Sequence, residues 1–77
     1  MDMKVRIALE TGQDISDFVE ILDSLPPTVK VYVTDNNNFR ISARSMLFLA
    51  VARIEWDQLW CECDTDIYSK IERFVVV

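Results

Sequence analysis

Seventy-seven residues, eight basic against thirteen acidic and none of them histidine, describe one small acidic domain over residues 1–77, because separate cores form only beyond about 250 residues. A hydrophobic share of 51% excludes a disordered chain, and a net charge of -5 argues against nucleic acid or an anionic membrane surface as partner. Without imidazole the chain lacks the commonest general base, the usual nitrogen ligand for metals and any phosphohistidine chemistry.

Met3, Val5, Ile7 and Leu9 alternate with Lys4, Arg6 and Ala8, the period-two pattern of a half-buried strand. Thr11-Gly12-Gln13 breaks that pattern. From Asp14 the period lengthens: Ile15, Phe18, Val19, Leu22 and Leu25 recur at helical spacing opposite Ser16, Asp17, Glu20 and Asp23. Asp14 is expected to cap this helix, and Pro26-Pro27 to end it.

Val29, Val31 and Val33 alternate with Lys30, Tyr32 and Thr34 as a second strand. The tract from Asp35 through Asn36, Asn37 and Asn38 supplies turn residues, so the chain is expected to reverse into a short third strand carrying Phe39 and Ile41. Ser45 can cap a short second helix from Met46 to Ala52 that is apolar nearly all round. Gln58 to Cys63 reads as a fourth strand, with Leu59, Cys61 and Cys63 on one side and Trp60 and Glu62 on the other. Asp64-Thr65-Asp66 then opens a last helix striped by Ile67, Ile71, Phe74 and Val75. The expected fold is α+β: an open-faced βαββαβα sandwich with a four-stranded antiparallel sheet and three helices on one face.

The longest apolar run, Met46 to Ala52, has seven residues, far below the roughly 20 needed to span a bilayer. Lys4 and Arg6 interrupt the apolar residues near the start, so no secretory signal is read there and a cytoplasmic location is expected. Cys61 and Cys63 are too few to hold a metal in a chain without histidine, and a pair one residue apart on a strand is poorly placed for a disulfide. Two buried, unpaired thiols are expected. No cofactor or metal is implied.

The run Phe39-Arg40-Ile41-Ser42-Ala43-Arg44-Ser45-Met46-Leu47 resembles the third strand and serine-bearing short helix of HPr, the histidine-containing phosphocarrier of the sugar phosphotransferase system. Cys63-Asp64-Thr65-Asp66, with its acidic start to the final helix, is similar to the family pattern too, and with the element order the resemblance covers nearly the whole chain. The family carries its phosphoryl group on a histidine in a Gly-x-His-Ala-Arg-Pro segment. The matching stretch here is Gly12-Gln13-Asp14-Ile15-Ser16-Asp17, with Asp14 where the histidine belongs and Ser16 and Asp17 at the arginine and proline positions. Phosphocarrier chemistry needs an imidazole nucleophile and a cation for the phosphate, so Asp14 marks a degenerate phosphocarrier position.

What the resemblance implies is a non-catalytic protein that acts by binding other proteins. The serine matching Ser45 is, in some bacteria, phosphorylated by a dedicated kinase, and its phosphorylated form works through a transcription regulator. Ser45 is therefore a candidate regulatory phosphorylation site, with an HPr-type kinase or a transcription regulator as partner. A phosphate there meets the positive end of a helix beside Arg44. Four consecutive large side chains, Met46, Leu47, Phe48 and Leu49, cannot all face one core from a two-turn helix. With Arg44 they form a candidate partner-binding surface, with core packing in a homodimer as the competing reading.

Phosphorylation of Asp14 itself, with Glu10 and Asp17 holding Mg²⁺, is a weaker reading, since capping explains the residue. Trp60 and Tyr32 are expected on the sheet face away from the helices, packed among long side chains such as Lys30 and Arg6. The apolar Val75-Val76-Val77 suggests an edge contact or an interface. The alternative to an HPr-like protein is a ferredoxin-like small-ligand regulatory or structural oligomerisation module, built on the same βαββαβ order. No nucleophile and base pair supports an enzyme.

Overall fold

Alternation sets the four strands. In the computed structural model, which describes residues 2–37 and 39–77, β1 (Met3–Ile7) turns Met3, Val5 and Ile7 inward and leaves Lys4 and Arg6 exposed. The remaining strands are β2 (Val31–Thr34), β3 (Arg40–Ser42) and β4 (Leu59–Cys63). Their order is β1-β4-β2-β3 and every pairing is antiparallel, so β4 and β2 lie in the middle. Val33 faces Cys61 and Val31 faces Cys63 across the central pair, and these buried rows form the floor of the core. Sheet positions facing away from it carry Lys4, Arg6, Tyr32, Arg40, Trp60 and Glu62.

Three helices cover the inner face: α1 (Gly12–Asp23), α2 (Met46–Glu55) and α3 (Tyr68–Ile71), the last continuing as a 3-10 turn over Glu72–Phe74. The α+β open-faced arrangement expected from the periodicity is the one observed. Helical spacing in α1 buries Ile15, Phe18, Val19 and Leu22 together. Phe18, Leu22, Leu49 and Ile71 are among the largest fully enclosed side chains, each worth about 1.5–3 kcal/mol of burial. Phe18 meets Phe74 edge to face at 5.4 Å between ring centroids, which ties the 3-10 turn to α1.

Several boundaries differ from expectation for local reasons. Thr11, not Asp14, is the N-cap of α1, and Asp14 is the third helical residue. The second helix runs on past Ala52 to Glu55. Phe39 stands outside β3 and is exposed, whereas Ile41 packs on the core. In the hairpin loop Asn36 takes a left-handed φ of 65°, which asparagine tolerates. The buried Thr34 hydroxyl accepts from the Asn36 N–H at 3.0 Å and donates to the Phe39 carbonyl at 2.7 Å. Asn38, assigned to the same turn, lies outside the described residues.

The final valines form an edge contact. Val75 bridges to Ile7, the Val76 N–H donates to the Arg6 carbonyl at 2.8 Å, and the Ala8 N–H donates to the Phe74 carbonyl at 2.8 Å. One end of the β1 edge is thereby paired. No helix among the described residues is long and apolar enough to cross a membrane.

Candidate functional site

A tight turn through Ala43 and Arg44 joins β3 to α2, held by donation from the Ala43 N–H to the Val31 carbonyl at 3.0 Å and from the Ser45 N–H to the Ser42 carbonyl at 3.2 Å. Ser45 is left extended (φ -94°, ψ 101°) as the N-cap of α2, and its Oγ accepts from the Phe48 N–H at 3.5 Å. That contact is long, and the first turn of α2 carries no acidic side chain. The positive end of this helix is thus only lightly capped.

Arg44 does not point its charge at Ser45. Its guanidinium donates to the Pro26 carbonyl at 3.1 Å and the Val29 carbonyl at 3.2 Å, fastening the turn to the loop that enters β2. A phosphate on Ser45 would compete with two carbonyls for it.

The helix divides its side chains by angle. Leu49 and Ala52 are buried, and Arg53 turns back to donate to the carbonyls of Leu9 and Glu10. Leu49 therefore leaves the expected partner-binding set, because helical geometry aims it into the core. Met46 (48% exposed), Leu47 (72%) and Phe48 (56%) remain on the surface. They are joined by Val51 and Ile54, at 51% and 76% exposure. Leu47, Val51 and Ile54 follow i, i+4, i+7 spacing, so they line one stripe. Reading the sequence missed Val51 and Ile54, although the same spacing from Leu47 would have found them.

Asp14 sits apart from this surface, closing the N-terminus of α1. One carboxylate oxygen accepts from the N–H groups of Glu10 (3.0 Å) and Thr11 (3.3 Å), and the other lies 3.7 Å from the Arg73 guanidinium. Arg73 also reaches Asp17 at 3.4 Å. Asp14 is thus part of an ion-paired capping box.

Cys61 and Cys63 are both buried and unpaired. Burial, reinforced by the neighbouring Cys63 and Glu62, pushes the Cys61 thiol up to about 12, and burial also raises Cys63. Both stay protonated, which suits packing and disfavours nucleophilic chemistry. Among the described residues no group of histidine, cysteine, aspartate or glutamate is arranged to hold a metal ion. Comparison with protein-family models, curated proteins and solved structures finds no match to this chain.

Proposed function

We propose that this chain is an HPr-like protein without phosphocarrier activity, which acts in the cytoplasm by docking a protein partner on the exposed side of α2, with Ser45 as a phosphorylation switch at the edge of that surface. The observation carrying the reading is the apolar stripe. Five large hydrophobic side chains stay exposed on a helix of ten residues, and exposed apolar clusters of this kind are characteristic of recognition surfaces. Ser45 begins the same helix, so a dianion there changes the charge beside Met46, Leu47 and Phe48 without entering the core. An HPr-type kinase or a transcription regulator fits this arrangement as partner.

The strand order favours this reading over the ferredoxin-like alternative. A ferredoxin-like sheet has its first and third strands in the middle, whereas β4 and β2 hold the middle here. Self-association through α2 is the second reading, favoured by the i, i+4, i+7 stripe.

The test compares wild type with Leu47→Asp and Ile54→Asp as immobilised baits, together with sedimentation of each at rising concentration. A protein retained by wild type and released by both variants, while wild type sediments as a monomer, supports docking. A wild-type dimer dissociated by either variant supports self-association. Equal retention by all three baits, with monomers throughout, removes α2 from consideration. Ser45→Asp added to the same series reads out the switch.

A further inference from the structure

Four of the eight basic residues converge on the face of the sheet that the helices leave open. Lys4 and Arg6 come from β1, Arg40 from β3, and Lys30 from the residue before β2. The strand order sets two of them beside Glu62, whose oxygens lie 3.8 Å from Lys4 and 3.9 Å from Arg40. A shallow depression of about 440 Å³ on this face is lined by Lys4, Lys30, Tyr32, Arg40 and Glu62 together with Asp2 and Asp64. Elsewhere Arg44, Arg53 and Arg73 are committed to backbone carbonyls or to Asp14 and Asp17. With Lys4, Arg6, Lys30 and Arg40 against Glu62, Asp2 and Asp64, this face is slightly positive on a chain of net charge -5.

We propose that this open sheet face is a docking site for an acidic, extended polypeptide segment, whose carboxylates take the place that Glu62 now holds between Lys4 and Arg40. The argument is charge complementarity with a template built in. Glu62 shows that a carboxylate fits between the two cations, and its half-exposed pairs are of the weakly stabilising kind, so exchange for an incoming carboxylate is easy. Neighbouring strands are about 4.8 Å apart, so crossing all four takes an extended segment of about five residues. Side chains two apart in such a segment share one face, as Lys4 and Arg6 do on β1, which favours acids at alternate positions.

Nucleic acid fits less well. Stacking needs free aromatic faces, but Arg40 lies over Tyr32 at 4.3 Å and Lys4 over Trp60 at 5.7 Å. The site lies on the opposite side of the molecule from the helices and is independent of the role given to α2.

The test is fluorescence anisotropy of the whole chain with a labelled pentapeptide carrying glutamate at every other position, its glutamine counterpart and an oligouridylate. Saturable binding of the glutamate peptide alone is expected, weakening with salt. Lys4→Gln and Arg40→Gln should each weaken it about threefold, the size expected for a partly exposed ion pair. Glu62→Gln should strengthen it, which loss of a merely structural residue would not do. Absence of binding by both wild type and Glu62→Gln overturns the proposal, as does binding indifferent to all three substitutions. Tighter binding of the oligouridylate than of the peptide also overturns it, and assigns the face to nucleic acid.

Discussion

Thr11 and Asp14 cap each other. The Thr11 hydroxyl accepts from the Asp14 N–H at 3.1 Å, and the Asp14 carboxylate accepts from the Thr11 N–H at 3.3 Å. Both groups satisfy donors that α1 would otherwise leave open, so Asp14 has a structural task. Asp14→Ala is expected to cost about 1 kcal/mol, lowering the melting temperature by about 4–8 °C in a domain of this size. Thermal unfolding by circular dichroism measures this. Incubation of wild type with acetyl phosphate should leave the intact mass unchanged, because attack by the carboxylate requires opening the cap.

Leu47 and Leu49 are two residues apart on α2 and face opposite environments, one 72% exposed and the other fully enclosed. Leu49→Ala should lose about 2–5 kcal/mol of stability through lost burial and the cavity left behind. Leu47→Ala should stay within about 0.5 kcal/mol of wild type, as surface substitutions do. Urea denaturation of the two variants separates the core role from the surface role. Equal losses would show that Leu47 is covered in solution and point to a dimer.

The Ser45 cap is weaker than the Thr11 cap, with its 3.5 Å contact and no acid in the first turn. Ser45→Ala should therefore cost only about 0.5 kcal/mol, the low end for an N-cap. Ser45→Asp should exceed Ser45→Ala by roughly 0.3–1 kcal/mol, since it places a negative charge at the helix start. Repeating the urea titrations in high salt should shrink that gap. Under the function proposed above, a phosphate on Ser45 would leave the fold intact while altering the charge beside the apolar stripe.

Cys61 is held protonated up to about 12, against an ordinary value near 9. Between those values the folded thiol keeps its proton while the unfolded one loses it. The native state then binds more protons, and stability falls as pH rises, by at most about 1.4 kcal/mol per pH unit. Urea midpoints measured from pH 8 upward should decline above about pH 9, with a shallower decline in Cys61→Ala, which lacks the group. In the same protein at pH 8, a thiol reagent such as dithionitrobenzoate should react only after denaturant is added. Rapid reaction of both thiols in the folded state would contradict this.

Periodicity carried much of this architecture. The alternating rows of β1 and β4 and the helical spacing of α1 contrast polar with apolar positions, so each element declares its buried face. Helix α2 offers no such contrast, because Met46 to Ala52 is apolar at every position, and only the tertiary arrangement decides that Leu49 turns inward. Capping was ambiguous for a chemical reason: Thr11 and Asp14 are both good N-caps, and a capping box uses both. The open sheet face was legible only in part: alternation places Lys30 and Arg6 there, but not the pairing of Glu62 with Lys4 and Arg40. Lys4, Lys30, Arg40 and Glu62 are far apart in the chain, and local pattern does not encode the order β1-β4-β2-β3 that gathers them.

The C-terminal valines show how an edge is closed. With Val76 donating to Arg6 and Ala8 donating to Phe74, the last residues extend the sheet beside β1, while the Phe18–Phe74 contact holds the turn that delivers them. Val76→Pro removes the donor to Arg6 and should cost about 0.5–1.5 kcal/mol, the net worth of one hydrogen bond. Its larger effect should be on the edge. With the strap loosened, the Ala8 amide should exchange its hydrogen faster than in wild type, and the β1 edge becomes available for pairing with another chain. Hydrogen exchange followed by NMR reads the first effect, and light scattering at high concentration reads the second. Unchanged Ala8 protection in Val76→Pro would mean that the Phe74 carbonyl alone suffices to hold this edge.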